Sequence, residues 1–154
     1  VYEILTVDGA GNASPKTAAR GPATAKCVIL DDAPGNGIAY TGAWSPKPGL
    51  LPAHAATLTS SNEKGAAAEV SVEGKRALVF VKLGPDGGKA AVSVDGGAPE
   101  LVDTYSADEI WGVCVYRKDL GAGKHTLRVE ATGERSERAK DAVVYLDGVR
   151  VETE

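Results

Sequence analysis

The sequence predicts an all-β protein, an antiparallel two-sheet β-sandwich, on three observations. Apolar and polar residues alternate with period 2 through much of the chain, as in strands with one buried and one wet face. The alternating runs, about ten in number, are short and separated by clusters of Gly, Pro, Asn and Asp. No segment carries the 3.6-residue apolar stripe of a three-turn helix. The 154 residues suffice for one domain, which at that size removes roughly 68–70% of its unfolded surface from water. Hydrophobic residues at 43% and charged residues at 25% exclude a wholly disordered chain, and 19 Gly with 8 Pro suit many tight turns better than a helical bundle.

Residues 2–7 alternate as a strand does, and 25–30 form an apolar run around Cys27. Residues 41–53 contain Pro46, Pro48 and Pro52, which keep this stretch out of helix and central strand and predict a long loop. Ala68, Val70 and Val72 alternate with Glu69, Ser71 and Glu73. The apolar run 76–83 reads as a central strand with Phe80 in the core, where truncation to Ala would cost about 3–5 kcal/mol. Ala90, Val92 and Val94 alternate up to a tight turn at Asp95-Gly96-Gly97. Ser106 and Glu109 have capping-box spacing for one helical turn. Trp111 shares parity with Val113 and Val115, which assigns it to the core, around Cys114. A turn at 121–123 precedes the alternation of Leu127 and Val129, with His125 packed beside the turn. Residues 132–141 are polar and predict an exposed loop, and the final strand 142–152 holds Asp147-Gly148, a bulge or a hairpin tip.

Charge narrows the partners. Seventeen Lys and Arg against 21 Asp and Glu give −4, with basic residues scattered singly among acids, so no nucleic-acid partner is expected. No apolar run approaches the ~18 residues of a membrane span, so no membrane partner is expected. The chain opens into strand-like sequence rather than a signal peptide and lacks Met, which marks a processed protein or a domain of a longer chain. Cys27 and Cys114 are compatible with one disulfide or two buried thiols, and with only two His residues no zinc-finger spacing exists. The serine nucleophile elbow G-x-S-x-G is missing.

From Ile38 onward the motifs resemble a known family. Ile38-Ala39-Tyr40-Thr41-Gly42-Ala43-Trp44-Ser45 resembles the I-x-Y-x-G-x-W opening of galactose-binding-like β-sandwich domains. The strand from Gly74 to Val81 follows, then Gly88-Lys89-Ala90-Ala91-Val92-Ser93-Val94-Asp95-Gly96, resembling the family's D-G hairpin. Leu120-Gly121-Ala122-Gly123-Lys124-His125-Thr126-Leu127-Arg128-Val129 is similar to L-x-x-G-x-H-T-l-x-V, and Leu146-Asp147-Gly148-Val149-Arg150-Val151 to the closing strand. The resemblance implies a jelly-roll sandwich over residues 25–154. More weakly, residues 1–14 resemble the end of a fibronectin type III-like module, which would make 1–24 the tail of a preceding module, with 15–24 as linker. The alternative is that 2–7 is simply the first strand of the sandwich.

Domains of this kind accompany secreted bacterial glycoside hydrolases, lyases and esterases. The implied role is a non-catalytic carbohydrate-binding module, extracellular or at the cell surface, with a polysaccharide or oligosaccharide and the neighbouring domains of the parent chain as partners. Two rivals stay open: a structural spacer without glycan affinity, and a small esterase or hydrolase. A sugar offers a C–H face to an aromatic ring and hydroxyls to polar groups. On that basis Trp44, His54, Asp103, Tyr105, Glu109 and Arg135, from the loops 41–53, 103–109 and 132–141, are the candidate sugar contacts. A structural calcium ion, the one cofactor considered, would need oxygen donors, for which Asp31, Asp32 and Asp147 are the candidates.

Overall fold

The computed structural model describes residues 26–153, together with the backbone of two short strands nearer the N-terminus, β1 (Tyr2–Ile4) and β2 (Thr17–Ala19). These two pair antiparallel, Tyr2 opposite Ala19, so part of the predicted linker is a strand. The rest of the 1–24 assignment lies outside the described residues.

Eleven further strands follow: β3 (Cys27–Asp31), β4 (Ile38–Thr41), β5 (Ser45–Pro48), β6 (Thr57–Ser61), β7 (Ala67–Glu73), β8 (Arg76–Leu83), β9 (Gly88–Val94), β10 (Glu100–Asp103), β11 (Ile110–Asp119), β12 (Lys124–Arg135) and β13 (Val144–Glu152). A five-stranded sheet has the order β10-β9-β12-β7-β4, and a six-stranded sheet contains β11-β8-β13-β6-β5, with β3 on β13 beyond the end of β6. Every pairing between these strands is antiparallel. The predicted two-sheet sandwich is the observed fold.

Alternation places the core. Ala68, Val70 and Val72 of β7, Ala90 and Val92 of β9, and Leu127, Val129 and Ala131 of β12 pack from one sheet. Ala77, Val79 and Val81 of β8 meet them from the other, with Val144, Leu146, Val149 and Val151 of β13. Burying each Val or Leu contributes about 1.5–3 kcal/mol. Phe80 departs from expectation: Val79 and Val81 face inward, so the residue between them faces outward and is half-buried. Trp111 likewise packs on the outer face with Ala53, Leu58 and Tyr145 rather than in the core. Cys27 is half-buried and Cys114 exposed, and both are free thiols, so neither the disulfide nor the pair of buried thiols is realised.

The proline-rich stretch also differs from a plain loop. Ser45–Pro48 is a strand, pairing with β6 from Ser45 opposite Ser60 to Pro48 opposite Thr57. It lies at the edge of its sheet, where a proline without an N–H does not interrupt a central ladder. The turn after β9 is as expected: Asp95 and Gly96 have φ of 53° and 66°, and the Gly97 N–H donates to Val94 O at 2.9 Å. His125 bridges this turn and the next, its Nδ1 2.7 Å from Asp95 Oδ2 and its Nε2 3.1 Å from Gly121 O. The Ser106 cap forms no helix, only an N–H···O bond from Asp108 at 3.3 Å.

At one end of the sandwich, residues 84–88 tie two predicted binding loops together. Thr104 donates twice to Gly88 O, from its N–H and its hydroxyl, while Lys140 N–H donates to Pro85 O and Val143 N–H to Asp86 O. The approach is so close that a Cβ on Gly88 would stand 2.3 Å from Ala142 O. Loop 132–141 is thus anchored: β12 runs on to Arg135, and Ala139 is buried.

Candidate functional site

The described residues form a concave site on the outer face of the six-stranded sheet, and its position follows from one irregularity. Along β13, Leu146 is opposite Val81 and Gly148 opposite Phe80, which leaves Asp147 as the extra residue of a bulge. The bulge shifts the parity of the strand: Tyr145 and Asp147 face out before it, Val149 and Val151 face in after it, and Arg150 is turned outward. Gly148 has φ of 151°, and a Cβ there would lie 2.8 Å from Leu30 O of the neighbouring β3. Only glycine fits this position.

Residues 49–56 fold back over the face. Leu50 and Ala56 are joined by an N–H···O bond of 3.0 Å, and a 3₁₀ turn spans His54–Ala56, with Ala55 and Ala56 at φ of 47° and 60°. Two alanines in left-handed backbone cost free energy, which the packing of the loop must offset. The tether is the His54 N–H, which donates to Asp147 Oδ1 at 2.8 Å.

Beneath the loop lies a cavity of about 230 Å³. Phe80, Ile29 and Pro52 supply its apolar surface, Gly112, Gly148 and Val149 its backbone walls, and His54, Asp147 and Arg150 its polar groups. Asp147 is 2% exposed, and burial raises its carboxyl pKa, an effect the His54 amide partly opposes. Its Oδ2 faces Gly112, where a Cβ would stand 3.8 Å away, and takes no hydrogen bond among the described residues. Arg150 Nε is buried without a partner, and the guanidinium makes no ion pair among the described residues. An apolar floor beside an open acceptor and an open donor can hold a small polyhydroxylated ligand.

A second group fills the face next to the cavity. Lys82 Nζ is 2.6 Å from Glu109 Oε1 and lies over the rings of Trp111 (5.1 Å) and Tyr145 (4.6 Å). Lys47 Nζ covers Tyr145 from a distance of 5.1 Å. The Tyr145 hydroxyl donates to Asp86 Oδ2 at 2.5 Å, and burial pushes its pKa well above the ordinary tyrosine value. These contacts satisfy one another and leave Lys82 buried.

The sequence-predicted residues are dispersed. His54 and Asp147 enter the cavity, and Glu109 reaches the face as the partner of Lys82. Trp44 stacks on Tyr40 with ring centroids 5.3 Å apart, donates from Nε1 to Thr41 O at 3.2 Å, and packs against the core. Asp103 accepts from the Tyr105 N–H at 3.0 Å and from the Ser136 hydroxyl, and Tyr105 is half-buried beside Gly84. Arg135 donates to Lys140 O at 2.8 Å. Phe80, Gly112 and Arg150 were not anticipated. Lys82, two residues beyond Phe80 on the same strand face, is the sequence signal that marks that face as outer.

Asp31 and Asp32 lie behind the loop, close enough to Asp147 for mutual repulsion. Asp32 is fully buried, its oxygens accept from the Thr57 and Thr59 hydroxyls at 2.7 Å each, and burial raises its pKa. Asp31 Oδ1 is buried and unpartnered. Among the described residues no group of three or more His, Cys, Asp or Glu side chains is arranged to hold a metal ion.

No protein-family model and no curated protein matches the chain. Solved structures do. CBM35 from Cellvibrio japonicus Abf62, a carbohydrate-binding module, superposes with a TM-score of 0.59 at 14% identity, over 81% of this chain and 91% of that one. A two-domain esterase active on acetylated mannans gives 0.62 at 19% identity, over 91% of this chain. The GH26-CBM35 β-(1,4)-mannanase of Podospora anserina gives 0.56 at 12% identity, over 84% of it. This chain spans 40% of the esterase and 28% of the mannanase. At such identities the likeness establishes the fold: a jelly-roll sandwich of the carbohydrate-binding-module type.

Proposed function

We propose that the chain is a non-catalytic carbohydrate-binding module of a larger, secreted, polysaccharide-active enzyme, and that the cavity floored by Phe80 is its glycan site. The observation that carries this reading is the combination in one 230 Å³ cavity of an aromatic ring with the open polar groups of Asp147 and Arg150. A pyranose needs that pairing, a ring for its C–H face and fixed donors and acceptors for its hydroxyls. Asp147 is the cavity's single carboxyl, whereas glycoside hydrolysis uses two flanking the bond, and no serine or cysteine nucleophile lines it. Supporting the modular reading, the chain matches part of a two-domain esterase and part of a mannanase, and 91% of the chain of the CBM35 from Abf62.

Affinity electrophoresis in gels containing mannan, acetylated mannan, β-1,3-galactan or xylan tests the reading, alongside assays for released acetate and reducing sugar. We expect retardation by at least one polymer, abolished in Phe80→Ala and retained in Trp44→Ala and Tyr105→Ala, with no turnover. Loss on Trp44→Ala or Tyr105→Ala with Phe80→Ala unaffected would move the site to the loop end. No retardation by any polymer would favour a spacer, and turnover would favour an enzyme.

A further inference from the structure

We infer that the cavity receives a single sugar residue, at a chain end or a side branch, and holds two neighbouring hydroxyls between Asp147 Oδ2 and the Arg150 guanidinium. This deepens the glycan-binding reading and rests on it.

Size and closure set the first half of the inference. The cavity's 230 Å³ lies below the ~300–1,000 Å³ of pockets that enclose drug-sized ligands, so one ring fits and a run of rings does not. Phe80 and Lys82 are neighbours on one face of β8, about 6.6–6.8 Å apart along the strand. The next position is therefore occupied by Lys82, 6% exposed and held between Glu109, Trp111 and Tyr145. A second sugar continuing in that direction would have to break this ion pair. Pro52 and His54 of the tethered loop wall the floor on another side. The chain must leave the cavity toward solvent.

Unpaired polarity sets the second half. An acid and a base line the same cavity yet form no ion pair with each other, and among the described residues neither Asp147 Oδ2 nor the Arg150 guanidinium has a hydrogen-bond partner. Charged groups that line a concave surface without partners are suited to a ligand that supplies both an acceptor and a donor. Two adjacent hydroxyls do so, one donating to the carboxylate and the other accepting from the guanidinium. The other carboxylate oxygen, Oδ1, already accepts from His54 and fixes the orientation of Oδ2.

Calorimetric titration of the folded chain with methyl α-mannopyranoside, methyl β-galactopyranoside, methyl β-xylopyranoside and mannopentaose tests the inference. Asp147→Asn keeps an acceptor for the His54 amide but places a donor where Oδ2 stands. Arg150→Lys keeps the charge and removes the fork. We expect at least one methyl glycoside to bind within threefold of its oligosaccharide, and both variants, with unchanged thermal midpoints, to weaken it at least tenfold. Affinity that climbs steeply with chain length while the glycosides stay silent would overturn the single-residue site. Unchanged binding in both variants while Phe80→Ala abolishes it would overturn the hydroxyl clamp and leave the glycan reading standing. If either variant proves unstable, Phe80→Leu, which removes the ring alone, and the length series decide the single-residue claim. Silence of every sugar and polymer would overturn both.

Discussion

Phe80 is the residue on which function and stability separate. Its run of apolar neighbours suggests a core position, but its parity sets it on the outer face, where it is only half-buried. Truncating it should therefore cost at most about 2 kcal/mol, since part of the ring already touches water. Leu127→Ala, at a fully buried position, should cost about 2–5 kcal/mol. Urea melts of the two variants check this, and equal losses would return Phe80 to a core role. His125 offers a second test at this scale. Both ring nitrogens face acceptors, so the doubly protonated ring is favoured, and the Asp95 hydrogen bond raises its pKa while that of Asp95 is lowered. A raised base stabilises the fold fully below its unfolded pKa, and this is lost as pH rises through the folded value. A lowered acid contributes above its unfolded pKa, and this is lost as pH falls through the folded value. The pair thus contributes most between about pH 4 and 6.5. Between about pH 6 and 8 the parent's melting temperature should fall more steeply than that of His125→Asn; parallel curves would contradict the assignment.

At the scale of the element, β13 decides what the outer face offers. Without the bulge at Asp147, Arg150 would point into the core and Val149 outward, so one extra residue converts a sandwich strand into the wall of a cavity. Gly148→Ala should cost about 1–3 kcal/mol, because its Cβ would meet Leu30 O at 2.8 Å in a backbone conformation that side chains resist. Thermal melts should show this loss; a neutral substitution would mean the bulge relaxes. The Asp147-Gly148 pair was legible as a bulge or a hairpin tip, and the alternation of β7, β9 and β12 as one-sided strands. Legibility ended where tertiary pairing overrides local pattern. Pro46 and Pro48 read as loop because the sequence does not say that their partner lies on one side alone. In 76–83 every residue but Arg76 and Lys82 is apolar, so which face was inner depended on neighbours far along the chain.

At the scale of the whole molecule, the fold survives at 12–19% identity to its structural relatives because a sandwich needs pattern and volume more than particular side chains. Its core is accordingly built from Val, Ala and Leu, with Tyr116 as the one aromatic residue among its buried members. The candidate site was far less legible. It draws Ile29, residues 52–54, Phe80, Gly112 and residues 147–150 from five separate stretches, joined only by strand register and a folded-back loop. The sequence-predicted loops instead spend their polar groups on each other, as in the pairing of Asp103 with Ser136. The most direct test of the account is an amide-resolved NMR titration of the parent chain with the tightest-binding methyl glycoside or oligosaccharide. The account predicts the largest shifts at His54, Phe80, Gly112, Gly148 and Arg150, with Trp44 and Tyr105 unmoved. Shifts confined to Trp44, Asp103, Tyr105 and their loops would contradict it.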